Sequence, residues 1–249
     1  MEILNKTVFY HIMQKRGDKM KKVGIVVAMD EECEAVENIM GNTERKEVCE
    51  LEFIIGKIEE KKCILVKSGV GKVNAARTTQ ILVDYFKVDY ILNLGAAGAI
   101  KDGLEIGDII IGEKVVQHDF DITAFGHSKG YITGVGNYVE CDEEKIEEIK
   151  EKIKKIPERK YQIEFGVVAT GDIFCTKIEM KDKIRANFDA VVVDMECAAI
   201  GQVAYLNKIP FMVIRSVSDT PNGKNASTFD ENLKLASKRC ANMLREFLK

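Results

Sequence analysis

The chain has 249 residues, of which 46% are hydrophobic and 31% are charged, and its formal net charge is −3. This composition is typical of a globular protein with a sizeable core. Lysines are interspersed with glutamates and form no basic patch, which argues against a nucleic acid partner. No apolar run approaches the roughly 20 residues that span a bilayer, and the N-terminus lacks the apolar core of a signal peptide. We therefore expect a cytoplasmic protein that does not bind membranes.

Cysteine and histidine usage favours neither disulfides nor a metal site. The seven cysteines form no C-x-x-C pair and lie mostly in apolar stretches, as buried reduced thiols do. The three histidines have neither H-x-x-x-H nor H-E-x-x-H spacing, which leaves a transition metal few ligands. We expect the chemistry to rest on carboxylates, with no metal bound.

The apolar patterning predicts two regions along the chain. Residues 1–21 show no repeating apolar face and are predicted to form a peripheral or poorly ordered N-terminal extension. Residues 22–249 are predicted to form the folded domain. The uniformly apolar run 23–29 predicts a strand that is covered on both faces. Further strands are predicted at LEFIIGKI (51–58), KKCILVKS (61–68), DYILNLG (89–95), GDIIIGEKVV (107–116), FGVVATG (165–171), AVVVDME (190–196) and PFMVIRSVSD (210–219).

Helical patterns fall between the strands. They cover 30–40, the glycine-led segment 68–86, 141–156, 181–188, 196–207 and the terminal amphipathic segment 230–249. The small-residue segment AAGAI (96–100) and the aromatic-rich connection 118–134 are predicted as loops, and long loops of the second kind are often functional. Strands that alternate with helices predict a single three-layer α/β domain with a central mixed, mainly parallel sheet flanked by helices.

Polar residues follow four of the predicted strands. In open α/β sheets, ligands bind beyond the carboxyl ends of the strands, where loops and helix N-termini converge. Asp30, Glu31 and Glu32 occupy the first turn of a helix, where the helix dipole favours anions. Helix capping explains Asp30 and Glu31, and we expect one of the three acids to point into the crevice. The four strand ends are AMDEE (28–32), NLGAAGAI (93–100), DMECAA (194–199) and RSVSDTPNG (215–223).

Three further residues at these ends allow a structural or a functional interpretation. Glu196 opens an apolar helix and either caps it or, if a crevice reaches it, accepts hydrogen bonds from the paired hydroxyls of a ribose. Asp219 either initiates a turn or belongs to a site. Arg215 lies in an apolar strand and needs an anion nearby, which predicts an electrostatic cluster there.

Residues 22–249 contain seven segments that together indicate a known family: GIVVAMDEE, SGVGKVNAA, NLGAAGA, GDIIIGEKVVQHDFDITAFG, ATGDIF, VVVDMECAAI and VIRSVSD. In this order and spacing they resemble the bacterial 5′-methylthioadenosine/S-adenosylhomocysteine nucleosidases, members of the nucleoside phosphorylase superfamily. The resemblance implies the nucleoside phosphorylase-like fold and hydrolysis of an N-glycosidic bond that releases adenine and a 5′-thioribose.

The resemblance also implies a role for each carboxylate. Glu32 would activate the water as a base, and Asp219 would protonate adenine at N7. Glu196, with Met195, would hold the ribose hydroxyls. These residue types suit the reaction, because breaking the N9–C1′ bond builds positive charge on the sugar and negative charge on the departing base. No metal or organic cofactor is required.

Other matched positions imply contacts with an adenine nucleoside. Phe174 would stack on the adenine, and the backbone of Cys175 would read its Watson–Crick edge. Gly98 would let the chain approach the ligand closely, Arg215 would organise the water site, and Ser218 would belong to the substrate site.

Two positions bear on partners and specificity. Phe125 matches the family position that reaches into the 5′-thioether pocket of a neighbouring subunit, which implies a homodimer. Ala96 stands where the family usually has a serine, so a hydroxyl near the water or the sugar is missing. This departure bears on activity and on the choice of 5′-substituent more than on the type of reaction.

Three alternatives remain. A nucleoside phosphorylase has to bind a phosphate dianion, but AMDEE is acidic and NLGAAGA carries no arginine, which favours hydrolysis. A related hydrolase could act on another nucleoside, such as a futalosine-like substrate. A nonenzymatic nucleoside-binding protein would have no reason to keep Glu32, Glu196 and Asp219 together.

Overall fold

The structure is a computed structural model that describes residues 20–154, 160–220 and 229–249. Residues 1–19, which make up most of the predicted N-terminal extension, lie outside the described residues, as do residues 221–223 of the last predicted strand end. Among the described residues, no helix is both long and apolar enough to cross a membrane.

The described residues form ten strands and six α-helices, in the alternating order that the patterning predicts. The connection that carries Phe125 contains one short 3₁₀ helix, Thr123–Phe125. The strands are β1 (Lys22–Val27), β2 (Gly41–Val48), β3 (Leu51–Ile58), β4 (Lys61–Lys67), β5 (Tyr90–Ala99), β6 (Ile109–Gln117), β7 (Val139–Glu140), β8 (Ile163–Thr170), β9 (Ala190–Asp194) and β10 (Phe211–Asp219). The helices are α1 (Asp30–Glu37), α2 (Lys72–Asp84), α3 (Glu143–Lys154), α4 (Ile178–Phe188), α5 (Cys197–Leu206) and α6 (Phe229–Leu248).

All ten strands belong to one mixed sheet. Strand β1 lies parallel between β4 and β5, and β5 is also parallel to β10. Strands β6, β8 and β9 are parallel neighbours, while β10 meets β6 and β5 meets β9 in antiparallel pairs. Strands β5, β10, β6, β8 and β9 therefore close into a ring, and β1, β4, β3 and β2 extend the sheet away from it.

Apolar strands fill the centre of the molecule. Side chains such as Ile25, Leu92 and Ile214 on β1, β5 and β10 are fully buried. Helix α1 packs against α6 and α2 packs against α5, and each pair also contacts the sheet. The predicted three-layer α/β fold with a central mixed sheet is confirmed. Because these central strands are mainly apolar and buried, the polar residues at their carboxyl ends are the ones available to a ligand.

Three segments differ from the prediction. One is the two-residue strand β7, which the patterning does not indicate. Another is strand β2, which carries no alternating apolar pattern and was not predicted. It is exposed along almost its whole length and is held at the sheet edge by backbone pairing with β3. Residues 96–99, predicted as a loop, continue β5. They stay in the sheet because β10 pairs with 95–98 on one side and β9 pairs with Gly98 and Ala99 on the other.

Candidate active site

A pocket of about 660 Å³ opens at the carboxyl ends of β1, β5, β9 and β10. This is the edge of the sheet at which a ligand site is predicted. Its walls contain residues from all four predicted strand ends, together with residues that follow β8 and residues at the start of α6. Of the predicted site residues, those that line the pocket are Glu32, Gly98, Phe174, Cys175, Met195, Glu196, Ser218 and Asp219.

Glu32 is the acid of the AMDEE segment that points inward. Its side chain is buried, and its Oε2 accepts hydrogen bonds from the backbone N–H groups of Ala28 and Met29 at 2.8 and 3.0 Å. Its Oε1 accepts a hydrogen bond from the N–H of Ala96 at 2.9 Å. Burial raises the pKa of Glu32, while the charge of Arg215 and the three N–H groups oppose that rise. The carboxylate is therefore held in one orientation at the pocket wall and has a stronger affinity for a proton than an ordinary glutamate.

The other two acids of this segment do not line the pocket. Asp30 is exposed and forms an ion pair with Lys67. Glu31 is half-buried and does not line the pocket. Glu32 also accepts from the N-cap residue Met29, so it contributes to capping α1 while it faces the pocket.

Glycines in β5 let acidic side chains lie against the strand. A Cβ at Gly95 would overlap both the Arg215 guanidinium and the Glu32 carboxylate. A Cβ at Gly98 would lie 2.9 Å from Oδ2 of Asp219. Gly95 and Gly98 therefore make room for protein carboxylates as well as for a ligand. Glu32 and Asp219 contact β5 at Ala96 and Gly98, and two residues along a strand correspond to about 7 Å.

Arg215 lies beneath the pocket, fully buried, and joins several strand ends. Its Nη2 donates to Oδ2 of Asp194 at 2.5 Å and to Oδ1 of Asn93 at 2.7 Å, and it lies 3.7 Å from Oε2 of Glu196. Its Nε donates to Sγ of Cys197 at 3.0 Å. The electrostatic cluster predicted around Arg215 is present. Its main anionic partner is Asp194, and the sequence does not predict that pairing.

Glu196 occupies the N-cap position of α5 but does not cap it with its side chain. Asp194 does so instead, because its Oδ2 accepts a hydrogen bond from the N–H of Cys197 at 2.9 Å. Oε1 of Glu196 accepts from the N–H of Gly71 at 3.0 Å. Burial, followed by the charge of Asp194, raises the pKa of Glu196 from 4.5 to about 7, against the lowering effect of Arg215.

Asp219 ends β10 at the pocket wall, opposite a buried lysine. Its Oδ2 lies 2.9 Å from Nζ of Lys181, and its Oδ1 accepts a hydrogen bond from Oγ of Ser218 at 3.2 Å. Nζ of Lys181 also approaches the carbonyl oxygen of Thr220 at 3.4 Å. The Lys181 side chain is 3% exposed and that of Asp219 is 20% exposed. The turn that follows Asp219 lies largely outside the described residues, but the contacts of Asp219 belong to the pocket.

One side of the pocket is apolar and aromatic. The ring of Phe174, which is 59% exposed, meets the ring of Phe229 edge to face with centroids 5.9 Å apart. Cys175 is buried, and its Sγ lies 3.2 Å from Sδ of Met180. Val70 and Ile173 complete this wall. Such a surface suits a flat heteroaromatic ring and an apolar substituent.

Comparison with known proteins identifies the family. A family model described as the phosphorylase superfamily matches residues 22–249. A protein from Marinomonas sp. (strain MWYL1) named 5′-methylthioadenosine/S-adenosylhomocysteine nucleosidase is 35% identical, over 92% of this chain and 99% of its own length. A protein of the same name from Listeria monocytogenes is 38% identical, over 91% of this chain and 98% of its own length. This chain belongs to the 5′-methylthioadenosine/S-adenosylhomocysteine nucleosidase family.

A solved structure of the family supports the same assignment. The nucleosidase from Neisseria meningitidis in complex with methylthio-immucillin-A has a TM-score of 0.87 and 34% identity, with 92% of this chain and 99% of that chain covered. The resemblance drawn from the seven sequence segments is thereby confirmed. Ala96, at the position where the resemblance implies a serine, lines the pocket, and its contact with Glu32 is made by its backbone N–H and needs no hydroxyl.

Two predicted site residues do not line the pocket. Arg215 lies behind it, as described above. Phe125 is 82% exposed in the connection between β6 and β7 and does not line the pocket of this chain.

Several residues in or beside the pocket are not singled out by the sequence. Lys181 is the most informative, because it recurs with Ile184 and Phe188 at helical spacing on the buried side of α4. A lysine on an apolar helix face is the signal that could have found it. Phe229 is an aromatic residue directly before the predicted terminal helix, and Gly71 acts through its backbone, so neither position carries a comparable signal.

Proposed function

We propose that this nucleosidase hydrolyses the N-glycosidic bond of 5′-methylthioadenosine and S-adenosylhomocysteine and releases adenine and the corresponding 5′-thioribose. The observation that carries the proposal is the arrangement of Glu32 and Asp219. Two carboxylates from opposite ends of the chain meet the same strand two residues apart, with the buried Glu196 in the same pocket. The family relationship supports the same reaction.

In the proposed mechanism, Asp219 acts on the base and Glu32 on the water. As the C1′–N9 bond breaks, its electron pair moves into the purine and Asp219 passes a proton to N7. Water attacks C1′ from the other side of the sugar and gives its proton to Glu32. Burial raises the pKa of Glu32, which increases its capacity to accept that proton near neutral pH.

Glu196 and Met195 are proposed to bind the ribose. The carboxylate oxygens of Glu196 would accept hydrogen bonds from the two neighbouring hydroxyls, and its negative charge would stabilise the sugar cation that develops. The backbone N–H of Gly71 fixes Oε1 of Glu196 in advance. Because the site is organised before the substrate enters, little reorganisation is needed during the reaction.

The apolar side of the pocket is proposed to hold the adenine. Phe174 would stack on the ring, and the backbone of Cys175 would hydrogen-bond its Watson–Crick edge. Gly98 would leave room for the base beside β5, and Ser218, which donates to Asp219, would orient the acid. Arg215 would act from below by fixing Glu196 and by setting the charge around Glu32.

Phosphorolysis is disfavoured by the charges around the pocket. Among the described residues that line the pocket, the cation is Lys181, and it is already paired with Asp219. Arg215 is likewise paired with Asp194. A phosphate dianion would meet Glu32 and Glu196 in place of an unpaired arginine.

The experiment that tests the proposal is an assay of adenine release by the purified protein. It compares 5′-methylthioadenosine, S-adenosylhomocysteine and 5′-deoxyadenosine, each with and without phosphate. We expect release from the first two at rates that do not depend on phosphate. Formation of a ribose 1-phosphate would assign the protein to the phosphorylases, and absence of turnover would assign it to nucleoside-binding proteins.

A homodimer is proposed to complete the site. Exposed apolar side chains lie on neighbouring segments: Phe125 is 82% exposed, Val73 is 79% exposed, and Lys72 beside Val73 reaches Asp119 of the connection that carries Phe125. Exposed apolar surface of this kind favours a self-complementary interface. Light scattering at micromolar concentration should give a dimer, and a fully active monomer would rule it out.

The proposed location is the cytoplasm. None of the seven cysteines forms a disulfide; five of them are buried and one is half-buried. Free thiols without disulfides are typical of a reducing compartment.

A further inference from the structure

A buried lysine lies beside the proposed leaving-group acid. Lys181 is near the start of α4, on the same side of the helix as Ile184 and Phe188, and its side chain is 3% exposed. A lysine ammonium that loses its hydration needs an anionic partner. Asp219 is that partner, with Oδ2 at 2.9 Å from Nζ.

The ion pair belongs to the pocket and not to the core alone. Both residues line the cavity, and the Asp219 side chain keeps 20% of its surface exposed. Each carboxylate oxygen of Asp219 accepts a hydrogen bond, Oδ2 from Lys181 and Oδ1 from Ser218. The carboxylate is therefore fixed on the purine side of the pocket before a ligand enters.

The ion pair determines which of its two groups carries the proton. In an ion pair the proton resides on the nitrogen, whereas the acid of the proposed mechanism has to deliver one to N7. Among the described residues, Lys181 is the charged donor that bonds Asp219. An ammonium can give up a proton to a carboxylate, whereas a guanidinium cannot.

We propose that Lys181 is a positioning residue that supplies, through Asp219, the proton that the departing purine takes up. The inference rests on the proposed role of Asp219 as the acid. While the C1′–N9 electron pair moves into the purine, a proton crosses from Nζ of Lys181 to Asp219, and Asp219 gives one to N7. Afterwards Lys181 is a neutral amine, Asp219 is a carboxylate and adenine is neutral. Lys181 recovers its proton from solvent when adenine leaves.

Two leaving groups test this inference. Methylthioadenosine needs protonation of its base, whereas a 4-nitrophenyl riboside releases a phenolate that does not. We expect Lys181→Met to lower kcat for methylthioadenosine by about 10²-fold, with KM and the nitrophenyl rate changed by no more than about threefold. Lys183→Met is the matched control, because Lys183 is exposed on the same helix, and it should leave both rates unchanged.

A second variant separates proton supply from hydrogen bonding and guards against misfolding of the first. Lys181→Gln retains an N–H donor, on a side chain one atom shorter, but has no ammonium proton to give, so we expect the same selective loss. Equal losses on both substrates would show a structural role, and wild-type turnover in either variant would show that the ammonium proton is not used. Either result overturns the inference.

Asp219→Asn distinguishes failure of this inference from failure of the proposed function. If Asp219→Asn also keeps adenine release, then Asp219 is not the acid and the proposed mechanism fails. If Asp219→Asn loses adenine release while both Lys181 variants keep it, then Asp219 is the acid and only the role of Lys181 is wrong.

Discussion

Binding of a nucleoside should depend on pH through Glu196. Its pKa is raised to about 7 because the carboxyl is buried and faces the charge of Asp194. Ribose hydroxyls donate hydrogen bonds to a carboxylate, so the ionised form of Glu196 is the one that binds. With a pKa near 7, the ionised fraction falls roughly tenfold from about pH 8 to about pH 6. We therefore expect the Kd of an uncleavable methylthioadenosine analogue to rise by about tenfold over that interval.

Isothermal titration calorimetry in buffers of different ionisation enthalpy measures this effect. It should report release of a proton from the free protein near neutral pH when the analogue binds. Glu196→Gln is the control, since a neutral amide does not titrate. This variant should bind the analogue more weakly, with a Kd that is nearly independent of pH. A flat Kd in the wild-type protein, or an equal slope in Glu196→Gln, would refute the assignment.

The same shift affects stability. A carboxyl whose pKa is higher in the folded than in the unfolded state binds more protons when folded, between its ordinary 4.5 and about 7. The contribution of Glu196 to stability is therefore fully present below about pH 4.5 and is lost as the pH rises to about 7. Urea unfolding should show that Glu196→Gln removes this part of the pH dependence. If the free energies of unfolding of the wild-type protein and of Glu196→Gln differ by the same amount at every pH in that interval, the pKa of Glu196 is not raised by burial.

Three further predictions concern the site and the N-terminal residues. Asp219→Asn and Glu32→Gln should each lower adenine release by about 10²–10⁴-fold while analogue binding persists, and a nitrophenyl riboside should largely rescue Asp219→Asn alone. Gly95→Ala should cost about 1–3 kcal/mol in urea unfolding, together with most of the turnover, because the new methyl group overlaps Glu32 and Arg215. Deletion of residues 1–19 should leave the melting temperature and turnover almost unchanged, because Met20, which packs on the core, is retained.

Each of these three predictions has a control variant or a result that would contradict it. Near-normal adenine release in both carboxylate variants would direct attention to two other acids near the site. These are Asp172, which follows β8 and accepts a hydrogen bond from the N–H of Lys72, and Asp194. Gly41→Ala is the control for Gly95→Ala, since a Cβ at Gly41 meets nothing within 4 Å, and equal effects of the two would contradict the steric argument. A large loss of stability in the truncated chain would show that the extension packs on the domain or on the dimer.

The fold and the location of the site could be predicted from sequence because their signals are local. Strands such as β1 and β9 consist almost entirely of apolar residues, a pattern that a sheet covered on both faces accommodates. Polar residues directly after such strands have to reach the edge where ligands bind, which indicated Glu196, Asp219 and one acid of the AMDEE segment as candidates. The choice of Glu32 within that segment, and the roles of all three acids, came from the family resemblance. Strand β2 could not be predicted, because backbone pairing at an edge leaves no mark in a charged sequence.

Pairings between distant segments were decided only by the tertiary structure. Glu32 could have served as a helix cap alone, and its contact with Ala96 exists because β1 and β5 are neighbours. The ion pair of Lys181 and Asp219 joins residues 38 positions apart, on a helix and a strand whose patterns carry no information about each other. Hydrogen bonds and ion pairs act over a few ångströms in space, so the partners of a charged side chain depend on which segments folding brings together. The sequence determined which residues reach the edge of the sheet, and the packing of the strands determined which of them share protons and charge.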